Sequence, residues 1–401
     1  MIPRFKPWLN NRELLALFRP NAGAVRNFEE QFSRELGAVD AVAFPYGRSA
    51  QWAFLQAVGI KGAEVVMPAY TCSVVAHAIT LSGNTPRFVD INLNDYNMDL
   101  DQLAGVINDK TRAVVATHLF GYPLDIDRVE SIIAEAESRF GHKIWLIQDC
   151  AHSFGATWKG RPVGSSGDVG LYALNVSKMM TSIFGGMLTF QDHELAQKVR
   201  AWRDQHFTKP GKLKPIWRRL YLIAVYMAFN ERIYGLTWWL QQKTPFLNKL
   251  TKSYHLDGKI HFPPDYADLM LDVEAMVGIE QLKKYRQIIA RRRETADWYH
   301  ENLPRKKDWI FPPLEVGATY SHYVIRVPDR YKEIDELATE GVHLGELIQY
   351  SVPELGSYHQ PTESKCKFSG IASHTTINIP IHAGLTKTDK QKIRDVISKT
   401  Y

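Results

Sequence analysis

Between residues 63 and 174 the chain alternates two kinds of apolar pattern, and this alternation limits the folds open to it more than any other feature. The runs AEVVMPAY (63–70), TPRFVDI (85–91), TRAVVATHLFG (111–121), KIWLIQD (143–149) and GDVGLYAL (167–174) read as strands. Between them SAQWAFLQAVG (49–59), SVVAHAITLSG (73–83) and DIDRVESIIAEAESRFG (125–141) read as helices. A strand that is apolar at nearly every position has no face to give to water. Strands of this kind separated by helices predict an α/β fold in which a parallel sheet is covered on both sides. Ligands of such sheets gather at the carboxyl ends of the strands.

Composition adds bounds. A chain of 401 residues, 45% hydrophobic and 23% charged, suits a globular protein of two or more domains with a sizeable core. Cys72, Cys150 and Cys366 are too few and too scattered for a disulfide framework or a metal knuckle. They point to a reducing, cytoplasmic setting and to no metal site. MIPRFKPWLNNRELLALF, at the start, holds no apolar run of signal-peptide length, so export is not expected. The net charge of +6 does not indicate nucleic acid, because its source is local. Nine Lys or Arg stand between Gln205 and His255 against a single acid, Glu231, and the rest of the chain is slightly acidic.

Three features bear on chemistry. KIWLIQD ends on Asp149, at the expected mouth of the sheet, although a strand-terminal Asp serves equally as a turn former or helix cap. FPYGRSAQ (44–51) opens a helix after Gly47, and the free N–H groups of a helix start hold phosphate well, although a plain turn explains it too. LNVSKMMTSIFGGMLTF (174–190) sets a single Lys178 in an otherwise uncharged run that closes on a glycine pair. Burying an unpartnered ammonium is costly, so such a lysine points outward, loses its proton or is used covalently. Together, a phosphate seat, a carboxylate and this lysine are the parts that pyridoxal phosphate requires.

With these residues the chain resembles the DegT/StrS-type sugar aminotransferases, pyridoxal-phosphate enzymes of the aspartate-aminotransferase type I fold. The likeness runs through IPRFKPW, FEEQFSREL, GRSAQWAFLQAVGIKGAEVVMPAYTCSVVAHAITLSGNTPRFVDINLNDYNMD, THLFGYPLDID, IQDCAHSFGATWKGRPVGSSGDVGLYALNVSK and GGMLTF, in the family's order. It continues in MLDVEAMVGIEQLKKYRQIIARRRETADWY and INIPIHAGLT. The resemblance implies a large α/β/α domain with a mostly parallel sheet, a smaller C-terminal α+β domain and a homodimer. The expected divisions are 1–204 for the cofactor domain, 205–265 for a basic, aromatic-rich arm and 266–401 for the small domain.

Carried over by position, the resemblance makes Lys178 the Schiff-base lysine and Asp149 the partner of the pyridinium nitrogen. It sets His152 near the cofactor ring, although a packing histidine fits the same pattern. Gly47, Arg48, Ser49 and Ala50 fall in the phosphate turn, and Asn175 falls beside the lysine. The chain departs from the family where Ala173 replaces the usual phosphate serine, Ala267 the partner-subunit Asn, and Arg48 a Thr. We read Arg48 as replacing the lost donors, with a surface ion pair as the alternative. Cys72 stands where an aromatic usually stacks on the ring, and Tyr70, two residues earlier, is the expected substitute. The implied activity is transfer of an amine from an amino acid, glutamate by expectation, to a nucleotide- or lipid-linked keto-sugar for cell-surface polysaccharide or glycoconjugate synthesis. The rival expectations are a non-sugar carbonyl acceptor and a non-catalytic scaffold that binds a membrane or a protein.

The family pattern does not account for residues 205–265. Their uncharged stretch from Leu220 to Asn230 is far shorter than the ~20 residues that span a bilayer. Trp217, Trp238 and Trp239 lie among the basic residues. Two expectations stand: an arm packed against a second subunit, and a peripheral contact through 212–250 with the inner face of a membrane.

Overall fold

The computed structural model describes residues 1–19, 21–230, 233–243, 259–358 and 366–399. Arg232, Lys249 and Lys252, part of the basic count, lie outside the described residues.

The helices are α1 (Asn11–Ala16), α2 (Ala24–Leu36), α3 (Gly47–Ala57), α4 (Ser73–Leu81), α5 (Leu100–Val106), α6 (Ile126–Phe140), α7 (His193–His206), α8 (Lys214–Ala228), α9 (Tyr234–Lys243), α10 (Asp272–Leu282), α11 (Tyr285–Asn302), α12 (Arg330–Thr339), α13 (Lys367–Thr375) and α14 (Lys387–Lys399). The strands are β1 (Asp40–Phe44), β2 (Glu64–Pro68), β3 (Thr85–Val89), β4 (Thr111–Thr117), β5 (Trp145–Asp149), β6 (Thr157–Trp158), β7 (Arg161–Pro162), β8 (Val169–Ala173), β9 (Gly186–Phe190), β10 (Tyr323–Arg326) and β11 (Thr376–Ile379).

Seven strands form the central sheet in the order β1-β9-β8-β5-β4-β2-β3. All run parallel except β9, which is antiparallel to both neighbours. The expected strands and the three helices between them are present within a few residues of their predicted ends. The pleat explains why these strands carry no polar stripe. In β1, Val42 and Phe44 enter one apolar cluster while Ala41 and Ala43 enter another on the opposite face, with α2 and α10. β4 divides likewise, Ala113 and Val115 to one side and Val114 and Ala116 to the other.

The register brings strand ends together. Thr117 pairs with Asp149 at the carboxyl ends of β4 and β5, while Gly186, at the start of β9, pairs with both Phe44 and Ala173. A Cβ on Gly186 would lie 2.4 Å from the Tyr46 carbonyl oxygen and 2.6 Å from the Gly47 nitrogen. Only glycine lets the start of α3 descend onto the sheet edge there.

VEAMVGIEQLKKYRQIIARRRETADWYHENL reads as one long helix, yet it forms two. The chain leaves helical geometry at Lys284 (φ −128°, ψ 2°), whose ammonium reaches Glu13 at 2.5 Å. Gln281 Nε2 donates to the same carboxylate at 2.7 Å. The tie to α1 fixes the break. Beyond it, β10 and β11 form an antiparallel pair, and Ile2 bridges in parallel to Val342.

Candidate active site

Lys178 sits in the loop that joins β8 to β9. Asn175 shapes it: its Oδ1 accepts from the Ser177 amide at 3.0 Å and the Ser177 hydroxyl at 2.6 Å, and its carbonyl accepts from the Lys178 amide at 2.9 Å. The loop ends are joined by the bond from the Leu174 amide to the Gly185 carbonyl. Gly185, at φ 143°, occupies a conformation that other residues rarely adopt. Among the described residues the Lys178 ammonium has no salt bridge or hydrogen bond. Burial lowers its pKa, an effect opposed by Cys72 and Asp149 and reinforced by Arg48.

Asp149 is buried at the end of β5. Its Oδ2 accepts from the Thr117 hydroxyl at 3.2 Å and its Oδ1 from the Ala151 amide at 3.0 Å. Burial raises its pKa, and the Ala151 amide, Lys178 and Thr117 pull it back. Among the described residues no cation forms an ion pair with it. His118 sets the strand end beside it: its amide donates to the Asp149 carbonyl, while its ring lies between the Leu124 amide and Gln148 Oε1, each at 2.9 Å.

A cavity of about 280 Å³ joins these groups, with Gly47, Arg48, Cys72, Asp149, His152, Asn175 and Lys178 on its wall. His152 lies nearly parallel to Phe120 at 5.9 Å and 5.0 Å from His322, and its buried Nδ1 has no hydrogen-bond partner. Burial, then Lys178 and His322, push the His152 pKa well below its ordinary value, so the ring is neutral. Arg48 is half-buried on the cavity wall.

Three expected residues are not on that wall. Tyr70 is buried in the core, its hydroxyl donating to the Ile348 carbonyl at 3.2 Å and lying 2.9 Å from Thr376 Oγ1. It therefore does not replace the missing aromatic. The Ala50 amide is consumed by the first bond of α3, to the Tyr46 carbonyl at 3.0 Å, and Ser49 is buried with an unpartnered Oγ. Helix geometry leaves the amides of Gly47, Arg48 and Ser49 without intrahelical acceptors. Conversely, sequence reading missed Thr117, Phe120, His322, Tyr350 and Arg4, all on the wall. Phe120 stands at φ 56°, a strained value for a bulky residue, and no local pattern in the sequence signals it.

The family model described as the DegT/DnrJ/EryC1/StrS aminotransferase family matches residues 20–237 and 248–398. The chain belongs to this family. It is 26% identical over 379 residues to a GDP-perosamine synthase of Caulobacter vibrioides, covering 91% of this chain and 87% of that protein. It is likewise 26% identical over 389 residues to the spore coat polysaccharide biosynthesis protein SpsC of Bacillus subtilis, covering 93% and 89%. The sugar aminotransferase CalS13 of Micromonospora echinospora superposes with a TM-score of 0.78 over the whole of both chains at 20% identity. The fold is therefore that of the type I pyridoxal-phosphate transferases, and this DegT/DnrJ/EryC1/StrS protein is an aminotransferase. The family's enzymes depend on pyridoxal phosphate. The wall fits that group: among the described residues a buried carboxyl forms no ion pair, the Nδ1 of a neutral imidazole has no hydrogen-bond partner, and a helix start faces the same space as an amine without a salt bridge.

Proposed function

We propose that the chain moves an amino group from an amino acid, L-glutamate, to a keto-sugar carried on a nucleotide or a lipid, in the synthesis of a cell-surface polysaccharide or glycoconjugate. What carries this reading is that Lys178 and Asp149 share the wall of one cavity and, among the described residues, neither forms an ion pair. The family membership and the sugar-linked names of the relatives support the acceptor class.

Pyridoxal phosphate, when bound, supplies an aldehyde for amine exchange and a ring that accepts electrons. The residues proposed to hold it are Lys178, Asp149, His152, Arg48 and the first amides of α3, with Cys72 and Asn175 beside them. Asp149, as a carboxylate, would stabilise a protonated ring nitrogen, and among the described residues it forms no ion pair that would compete for this role. The amides of Gly47, Arg48 and Ser49, with the Arg48 guanidinium, offer donors to a phosphate. His152 and Phe120, both on the cavity wall, would pack against the aromatic ring of the cofactor. Lys178 Nζ, its pKa lowered by burial, carries a free amine in a larger fraction than an exposed lysine does, and that nitrogen moves a proton to and from the substrate carbon. The family resemblance supports the further proposal that the chain works as a homodimer.

The test is incubation with glutamate, pyridoxal phosphate and a panel of 3-keto and 4-keto nucleotide sugars, with detection of 2-oxoglutarate. Formation dependent on one sugar and absent in Lys178→Ala supports the reading. Visible absorbance unmoved by any amino donor would leave the non-catalytic scaffold instead.

A further inference from the structure

Helix α8 is amphipathic in the reverse sense. Its cations face the protein: Lys214 lies 2.8 Å from Asp265 and 2.6 Å from Asp268, and Arg218 lies 2.9 Å from Glu274 and 3.1 Å from Asp265. Arg218 also covers the Phe184 ring at 4.0 Å, and Arg219 donates to the Leu17 carbonyl. The outward stripe, Leu213, Ile216, Trp217, Leu220, Ala224 and Met227, follows helical spacing and contains no polar side chain. Leu213 and Trp217 are each 68% exposed and Met227 is 58% exposed. Leu236 and Trp239 of α9, and Leu15 and Phe18 at the end of α1, add further exposed apolar side chains. Such a stripe in water is unfavourable unless something covers it.

Charge decides between the covers. No acid occurs from Gln205 to Asn230, and the exposed Lys209 and Lys212 precede the stripe. In a two-fold contact through the stripe, this acid-free segment offers Lys209 and Lys212 no carboxylate. An anionic lipid surface meets both the apolar stripe and the lysines, and exposed indoles suit the headgroup boundary. No helix among the described residues is long and apolar enough to cross a membrane. We propose that α8, with the exposed side chains of α9, lies in the surface of a membrane leaflet that contains anionic lipid. On its inner side Arg218 donates to the Tyr46 hydroxyl at 3.1 Å, and Tyr46 lines the cavity, so α8 stands between the cavity wall and the lipid.

The experiment is flotation of the full-length holoprotein with phosphatidylcholine vesicles, with and without phosphatidylglycerol. Binding to the anionic vesicles that weakens with salt is expected, and protein that stays unbound overturns the proposal. Lys209→Gln with Lys212→Gln should reduce partitioning about fivefold per lysine. Trp217→Glu with Leu220→Glu should abolish binding while the oligomeric mass, the circular dichroism and turnover of a soluble acceptor stay as in the wild type. A fall in mass in that variant would assign the face to a second copy and overturn the proposal. Should it fail to fold, quenching of wild-type tryptophan by brominated lipid decides the matter, and no quenching refutes lipid contact.

Discussion

Asp149 and Lys178 are each costly alone, one a buried carboxyl and the other an amine whose burial depresses its pKa. The arrangement is therefore tuned for a bound state, and substitution should separate stability from activity. Lys178→Ala is expected to lower turnover by about 10³-fold or more and to remove the visible absorbance of bound pyridoxal phosphate. Asp149→Asn is expected to cost about 10²–10³-fold in activity. The same change should raise the melting temperature of the cofactor-free protein, because it removes a buried carboxyl that forms no ion pair among the described residues. An unchanged or lower melting temperature in calorimetry would contradict that reading. His118 supplies a pH test. Burial pushes its pKa down to about 4 from 6.5, so the unfolded chain binds a proton that the folded chain refuses. Its contribution, about 3 kcal/mol, is complete above pH 6.5 and is lost as pH falls toward 4. Urea midpoints measured across this range should fall less steeply in His118→Gln.

At the scale of elements, the glycine pair that closes the lysine loop has a mechanical role. Gly186→Ala places a methyl group against backbone atoms of Tyr46 and Gly47, which cannot turn away as a side chain would. A loss of about 1–3 kcal/mol in stability is expected. Displacing the start of α3 should also weaken cofactor affinity by about tenfold, readable by fluorescence titration. The β-rich runs and intervening helices were legible because burial on both faces writes itself as unbroken apolarity. β9 was not read as a strand, since a short GMLTF run has no period of its own. The break at Lys284 was invisible because its cause, Glu13, lies far away in sequence. Tyr70 misled for a similar reason: its hydroxyl is claimed by Ile348 and Thr376 from the distant C-terminal part.

For the whole molecule, the cavity wall draws Arg4 from the start of the chain, Lys178 and Asp149 from the middle and His322 from the C-terminal part. The proposed homodimer predicts a sedimentation mass twice the 45.8 kDa of one chain, and a monomer at assay concentration would contradict it. The sequence alone determined the sheet class, the strand end that carries Asp149, the helix start after Gly47 and the odd position of Lys178, because each is written in a local pattern of apolarity, turn residues or isolated charge. The tertiary structure alone decided that Phe120, His322 and Tyr350 share the wall, that Tyr70 does not, and that the cations of α8 turn inward. Those outcomes depend on which distant groups compete for the same hydrogen bond, charge or apolar surface, and a local pattern holds no record of that competition.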